Sequence, residues 1–362
     1  MKLILFVPGG VLLLLTVLER LRSARWWIRF ADYPRMQIAV GLAVVLILHA
    51  VLIGWGTPLD IGFGLALSAA LAYQVIRILP YTVLACMEVQ PARPGDPARG
   101  LRLLISNILM GNRRADRLLA LIREKDPDLV LLLETDTWWR EQLDVLDRDY
   151  PFRLKQPQGN YYGLHFFSKL ELRSPQVRFL VEDESPSVRT GVRLRSGDWI
   201  EFYGLHPRPP QVEEDTETRD AEILIVGREI REDGRPSIVA GDLNDVAWSH
   251  TTRLFQRISG CLDPRRGRGM FSTFHADHPL FRWPLDHIFL EASFTLVRLE
   301  RLPHIGSDHF PVFAELCYEP RAEAVQEAPE PYRKDLKGAQ ELIVEGREAA
   351  RQANCTAFNK PA

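Results

Sequence analysis

Along this chain, acids, amides and histidines stand where short apolar runs end, and that placement is the first sign of chemistry. In Ser237-Ile238-Val239-Ala240-Gly241-Asp242-Leu243-Asn244 a β-branched run feeds a glycine turn, so Asp242 and Asn244 fall on successive same-side positions at a strand end. An ordinary strand followed by an Asx turn reads the same way. Leu101–Ile105 ends in Ser106-Asn107, and Leu129–Leu133 ends in Glu134. A carboxylate behind five aliphatic residues is costly unless a cation sits opposite it, either a metal ion or a basic side chain. His206 follows Trp199–Leu205, and Arg208 is fixed between Pro207 and Pro209, where its planar fork could meet a phosphate. Asp286 enters an apolar run at Leu285-Asp286-His287-Ile288, and Asp308 and His309 precede another, Phe310-Pro311-Val312-Phe313. Such a set suits hydrolysis of a phosphate ester, which needs its oxygens neutralised, a water aimed in line and the leaving oxygen stabilised. Carboxylates favour Mg²⁺ or Mn²⁺. The four cysteines, Cys86, Cys261, Cys317 and Cys355, lack paired spacing, which speaks against zinc or a disulfide framework.

These residues need strands and helices to carry them. Leu101–Ile105, a helical stretch over 112–124 with Leu118, Leu121 and Ile122 on one face, and Leu129–Leu133 form a strand-helix-strand unit, with Asp126-Pro127-Asp128 as its break. Trp138 and Trp139 could line a cleft or cap the core. Residues 161–168 read as a strand beside the cleft, its His165 structural or functional. Residues 188–194 and 199–205 alternate as an antiparallel pair joined at Ser196-Gly197-Asp198. The acidic run from Glu213 to Asp220 opens a helix that continues to Arg231, and a second helix is expected over 248–258. Arg265–Gly269 reads as a basic surface loop.

The amino-terminal part is of another kind. Apolar runs cover about 3–18, 38–55 and 61–86, long enough for three membrane helices, and no small-residue cleavage site follows the first. His49, inside the second run, is either a helix contact or a functional group. Arg20, Arg22, Arg25, Arg29 and Arg35 lie between the first two runs, so the positive-inside rule puts that connection, and the rest of the chain after three spans, in the cytoplasm. The expected organisation is an anchor over 1–86, an extended linker over 87–100, a catalytic domain over 101–319, and a polar tail over 320–362 with one helix at about 335–350, outside the catalytic core. The net charge of −2 gives no global basic field to draw nucleic acid.

Taken in order, Ile105-Ser106-Asn107, Leu132-Leu133-Glu134, His206, Gly241-Asp242-Leu243-Asn244, Asp286 and Ser307-Asp308-His309 resemble the successive motifs of the endonuclease/exonuclease/phosphatase superfamily, the DNase I-like enzymes. The resemblance covers about 101–318. It implies an α/β fold, a four-layer α-β-β-α sandwich of two mixed sheets, with the site at one end of the sheets. It implies Glu134 as the principal metal ligand, helped by Asn107 and Asp308, with Mg²⁺ or Mn²⁺ as cofactor. By the same resemblance His309, held by Asp286, is general base or phosphate contact; Asp242 and Asn244 handle the attacking water; and His206 donates to the phosphate. Leu109 stands where apurinic endonucleases carry an acid, which speaks against abasic-site repair, and His287 stands where many relatives have an aromatic. The membrane runs are similar to those of membrane-attached bacterial members and imply an inner-membrane, multi-pass protein. The expected partners are the bilayer and a phosphate ester: nucleic acid, phospholipid or a small phosphodiester. The rival reading is a catalytically silent binding or scaffold domain of the same fold, which should have lost some of these residues.

Overall fold

The computed structural model describes residues 2–358 except 22, 94, 95 and 213, so Arg22, Pro94, Gly95, Glu213 and the segment 359–362 lie outside the described residues. The three apolar runs become helices α1 (Lys2–Leu18), α3 (Arg35–Leu52) and α4 (Pro58–Ile78), with the short helix α2 (Trp26–Arg29) in the connector. Thr57 and Asp60 close a capping box at the start of α4, with Pro58 just inside it. The helix stops at Ile78 rather than running on toward Cys86, because Pro80 has no amide hydrogen to continue it and a 3₁₀ turn over Leu79–Tyr81 takes over. Two helices, Arg35–Leu52 and Pro58–Tyr81, are long and apolar enough to cross a membrane, while Lys2–Leu18 is shorter. Lys2 pairs with Asp60 at one end of the bundle, and Arg35 pairs with Glu19 at the other. His49 is structural: its Nε2 lies 2.9 Å from the Asp60 carbonyl oxygen.

Beyond these helices come β1 (Gly100–Asn107), α5 (Ala115–Lys125), β2 (Leu129–Leu133), α6 (Thr137–Leu143), β3 (Phe152–Gln156), β4 (Leu164–Ser168), β5 (Leu172–Phe179), β6 (Pro186–Arg193) and β7 (Trp199–Leu205). They are followed by α7 (Glu217–Asp233), β8 (Ser237–Asp242), α8 (His250–Ser259), β9 (Asp286–Leu290), β10 (Phe294–Arg301), β11 (Val312–Tyr318) and α9 (Arg333–Phe358). One sheet has the order β10-β11-β1-β2-β4-β3 and the other β5-β6-β7-β8-β9. Each contains one parallel pair, β1 with β2 and β7 with β8, and each pair is joined through a helix, α5 or α7. The other pairings are antiparallel, so both sheets are mixed.

The aliphatic run of β2 is continuous because both its faces are covered. Leu129, Leu131 and Leu133 join Ile105, Phe166, Phe202, Ile238 and Ala240 between the sheets, whereas Val130 and Leu132 face α5 and α6. Across the inner layer Phe166 and Phe202 stack at 4.7 Å. Tyr203, Val239 and Phe289 turn outward onto α7 and α8, completing four layers.

Three elements differ from the sequence reading. Val89, in the expected linker, is buried between the sheets, and Pro91 bridges Leu296, so chain 89–91 extends the first sheet. The tail helix α9 belongs to the outer layer: Ala339 and Ile343 pack with α7 residues, and Gly346 allows closest approach, since a Cβ there would lie 2.3 Å from the Glu217 carbonyl oxygen. Arg265 is no surface residue; it is buried, bonded to both oxygens of Asp263 and to His287 Nδ1 at 2.7 Å. Strands β3, β5 and β10 carry exposed polar residues at many positions, which hides them from a search for apolar runs.

Glu222, on the inner side of α7, is a buried acid whose nearest polar partner is the Ser185 hydroxyl at 3.4 Å. Burial pushes its carboxyl up to about 8, and Glu182 adds to the rise. Between its ordinary range and about 8 the unfolded chain has released this proton while the folded chain keeps it, so this group favours folding less as pH rises. Glu222→Gln should therefore flatten the decline in stability from pH 5 to pH 8, measured as the difference in thermal midpoint between variant and parent.

Candidate active site

The site is a polar cap on the inter-sheet core. Ile105, Ala240 and Ile288 face inward, and the positions two residues toward the same end are Asn107, Asp242 and Asp286. His206 stands two residues beyond Gly204, whose missing side chain leaves room for Leu131 of the facing sheet. Simple alternation would aim Glu134 at the helical layer with Leu132. Instead Glu134 has φ +62°, in the left-handed region, and this turn brings its carboxylate to Asn107 and the Met110 amide. Asn244 is likewise left-handed, at φ +49°. Backbone strain at non-glycine residues concentrates at functional sites, and here two of the candidate residues carry it.

Asn107 links the two sheets. Its amide nitrogen donates to Glu134 Oε1 at 2.8 Å and to Asp242 Oδ2 at 3.1 Å, while its oxygen accepts from the Leu109 amide. Asp242 Oδ1 accepts from the Asn244 backbone amide at 2.9 Å, and the Asn244 side chain donates to the Pro207 carbonyl oxygen. His309 Nδ1 is 2.8 Å from Asp286 Oδ2, and its Nε2 is 3.5 Å from Asp242 Oδ2. His206 Nε2 lies 4.0 Å from the same oxygen. The Ser307 hydroxyl donates to the Asn107 carbonyl oxygen, fixing the loop that carries Asp308 and His309 against β1. Asn107, Glu134, His206, Asp242 and His309 open into a cleft of about 970 Å³, which Asp308, Asn244 and Arg208 also line, with Asp286 behind His309.

The electrostatics are lopsided. Arg208 is the one arginine or lysine among the described lining residues, and it is held at the rim by Glu182 and Glu214. Burial pushes the Glu134 carboxyl up, against the Asn107 amide, and neighbouring Asp308 adds to the push. Burial also raises Asp242. For His309 burial would favour the neutral ring, but Asp286 and Asp242 outweigh it and keep the imidazolium. Burial takes His206 down to about 3, so it is a neutral imidazole. Oxygen donors of Asp242 and Asp286 and a ring nitrogen of His309 lie within 4.8 Å of one another. Both nitrogens of that ring already face carboxylates, one hydrogen-bonded to Asp286 and the other ion-paired with Asp242, which marks this cluster as an Asp-His-Asp unit. Glu134 forms no ion pair among the described residues, and a cation there would relieve its burial; an oxygen-binding divalent ion fits that corner.

Sequence reasoning missed the supports of this site. The Tyr33 hydroxyl, from the anchor connector, donates to the Asn244 carbonyl oxygen at 2.7 Å, and Arg219 donates to the same oxygen at 2.8 Å. His287 accepts from Arg265 at Nδ1, so its Nε2 hydrogen goes to the Asp245 carbonyl oxygen at 2.8 Å. Phe274, Trp283, Trp26 and Phe30 line the cleft. The Tyr33 contact spans 211 positions, a separation that no local pattern announces. His165, bonded to the Thr135 hydroxyl, and Trp139, in the helical layer, are structural.

The family model described as the Endonuclease/Exonuclease/phosphatase family matches residues 104–309, more than half of the chain. The chain belongs to this family. Its class is accordingly that of hydrolases acting on phosphate esters. No curated protein sequence matches the chain closely. Solved structures share the fold: D. rerio TDP2 in complex with a single-strand DNA product, at TM-score 0.51 and 16% identity over 60% of this chain and 98% of that one; an endonuclease/exonuclease/phosphatase from Bacteroides vulgatus, at 0.50 and 19% over 61% and 99%; and the human Nocturnin catalytic domain with bound sulfate, at 0.50 and 16% over 61% and 95%. The family match begins within β1 and ends at His309, so the anchor, α9 and β11 lie outside it.

Gly241 tests the turn on which this family site rests. It has φ +144°, and a Cβ there would lie 1.9 Å from the Leu205 carbonyl oxygen. Gly241→Ala should cost at least about 2 kcal/mol of stability by denaturant titration, because β7 and β8 must part at the point that sets Asp242.

Proposed function

We propose that the chain is a membrane-anchored, divalent-metal-dependent phosphoesterase that cleaves phosphodiester bonds by in-line attack of water. The observation that carries this is the composition of the cleft: Glu134, Asp242 and Asp308 line it, with Asp286 directly behind His309, and Arg208, the one arginine or lysine among its described lining residues, is engaged at the rim. Glu134, with Asn107 and Asp308, would hold Mg²⁺ or Mn²⁺. When bound, the ion supplies positive charge to the non-bridging and leaving oxygens. Asp242, held by the Asn244 amide, orients the water and receives its proton. His309, fixed by Asp286, faces the phosphate as a cation, and neutral His206 gives a hydrogen bond to the oxygen that gains charge. Arg208 contacts substrate at the rim. The silent-scaffold reading finds no support in a site that keeps every one of these groups.

Anchoring is supported by the coat of the helical bundle. Val40, Ile47 and Val51 on α3 and Leu65 and Ile76 on α4 are exposed, the reverse of a soluble helix packed on a core. The connector 19–34 touches the catalytic layers through Trp26, Arg29 and Tyr33, so both stand at the same end of the bundle. With Arg20 and Arg25 in that connector we place them on the cytoplasmic side of a bacterial inner membrane. Arg29 and Arg35 count less toward this, since both are buried in ion pairs.

Purified full-length chain in detergent should hydrolyse bis-p-nitrophenyl phosphate with Mg²⁺ or Mn²⁺ and stop with EDTA. Glu134→Ala and His309→Ala should each lower kcat by about a hundredfold or more. Turnover indifferent to EDTA, or preserved in both variants, would sink the proposal.

A further inference from the structure

A continuous path of aromatic rings leads out of the catalytic centre. Phe274 lies 4.9 Å from the His309 ring, Trp283 5.9 Å from Phe274, Tyr33 5.7 Å from Trp283, and Phe30 6.5 Å from Tyr33. A branch runs from Trp283 to Phe281 at 6.4 Å. Both ends surface: Phe30 is 62% exposed, Phe281 55%, and Leu280 beside it 77%. These ends sit at the root of the anchor. Phe30 belongs to the connector that enters α3, and Gln37, in the first turn of α3, donates to the Leu280 carbonyl oxygen at 2.6 Å. Midway, the indole nitrogen of Trp283 is buried and has no hydrogen-bond partner among the described residues, a donor facing no acceptor in an otherwise apolar lane.

We infer that this lane is the binding site for the hydrocarbon part of an amphiphilic phosphoester that enters sideways from the bilayer, its phosphate reaching His309 while its chain lies along Phe274, Trp283, Tyr33 and Phe30. The inference rests on the phosphoesterase reading and names its substrate class. Two features select a tailed substrate over a nucleic acid. Following a nucleic-acid backbone needs a row of lysines or arginines, whereas the described cleft lining holds only the paired Arg208. The lane ends where exposed apolar side chains meet the start of an apolar helix of membrane-spanning length, so a chain leaving the bilayer there stays on apolar surface throughout. The anchor thus contributes Phe30 and Tyr33 to substrate binding as well as holding the enzyme to the membrane.

The test is a chain-length series. Full-length chain in phosphatidylcholine nanodiscs is given p-nitrophenyl alkyl phosphodiesters from methyl to hexadecyl, the longest able to span the lane, with Mg²⁺ or Mn²⁺, beside Phe30→Ser and Phe281→Ser, both at exposed positions. In the parent, kcat/KM should rise with chain length, by up to about threefold to fourfold per methylene. Phe30→Ser should cut the hexadecyl-to-methyl ratio by about tenfold, the loss of one ring from the lane, and Phe281→Ser should cut it less, as the loss of a side branch. Partitioning into lipid is the same for parent and variant, so a slope unchanged by both substitutions overturns the lane, as does a flat series in the parent. Turnover of no ester, methyl included, would instead overturn the phosphoesterase reading itself, and this inference with it.

Discussion

One amide stands between two carboxylates, one buried and one half-buried, that come from different sheets. Asn107, at the end of β1, donates to Glu134 on its own sheet and to Asp242 on the other. Without such a donor the two acids would face each other in a medium that screens them poorly, and their repulsion would push the two sheets apart at this end. The apolar layer between the sheets sets their separation. The amide makes that separation tolerable where leucines give way to acids, and the remaining parts follow: Ser307 is tied to the Asn107 carbonyl, and the turn after β8 is tied to Asp242.

A buried network of arginines and aspartates keeps that turn in place from behind. Arg219 bonds Asp220 and the Asn244 carbonyl oxygen and stands 3.7 Å from Asp245. Arg29 reaches Asp220, Asp32 and the Thr251 hydroxyl. Burial opposes the ionised form of Asp220, and the two arginines overcome it and hold the carboxyl below its ordinary range. These groups are nearly inaccessible to water. Removing one partner of such a buried set leaves an uncompensated charge and costs about 3–5 kcal/mol. The active-site turn therefore rests on a network half supplied by the connector between two apolar helices.

What the sequence disclosed followed from short-range regularity. Runs such as Leu129–Leu133 are strands because aliphatic residues on both faces require cover, and the polar residue flanking the run marks the strand end; Asn107, Glu134, His206 and Asp242 follow such runs and Asp286 and His309 precede them, so their placement was legible on that basis. The Ser196-Gly197-Asp198 turn announced the β6–β7 pair. What stayed hidden was mostly long-range. Tyr33, Arg219 and Trp283 look ordinary in their own neighbourhoods and acquire their roles only when segments far apart are brought together. The left-handed turn at Glu134 was invisible too, since alternation alone aims that carboxylate into the helical layer. Arg265 misled for a related reason: surrounded by glycine and arginine it reads as a loop, yet Asp263 two residues earlier neutralises it and draws it inside.

The docking of residues 24–33 bears on how such a protein could arise and change. Modular enzymes are commonly shuffled by exchanging a targeting segment at a linker, which leaves the catalytic unit intact. Here the exchange point at 87–100 is not neutral. Cutting there would strip Arg29 from Asp220, open the wall formed by Trp26, Phe30 and Tyr33, and pull Val89 out of the inter-sheet layer. Helical bundle and hydrolase are in that sense a single unit of inheritance, and a descendant that shed the bundle would have to rebuild its active-site turn.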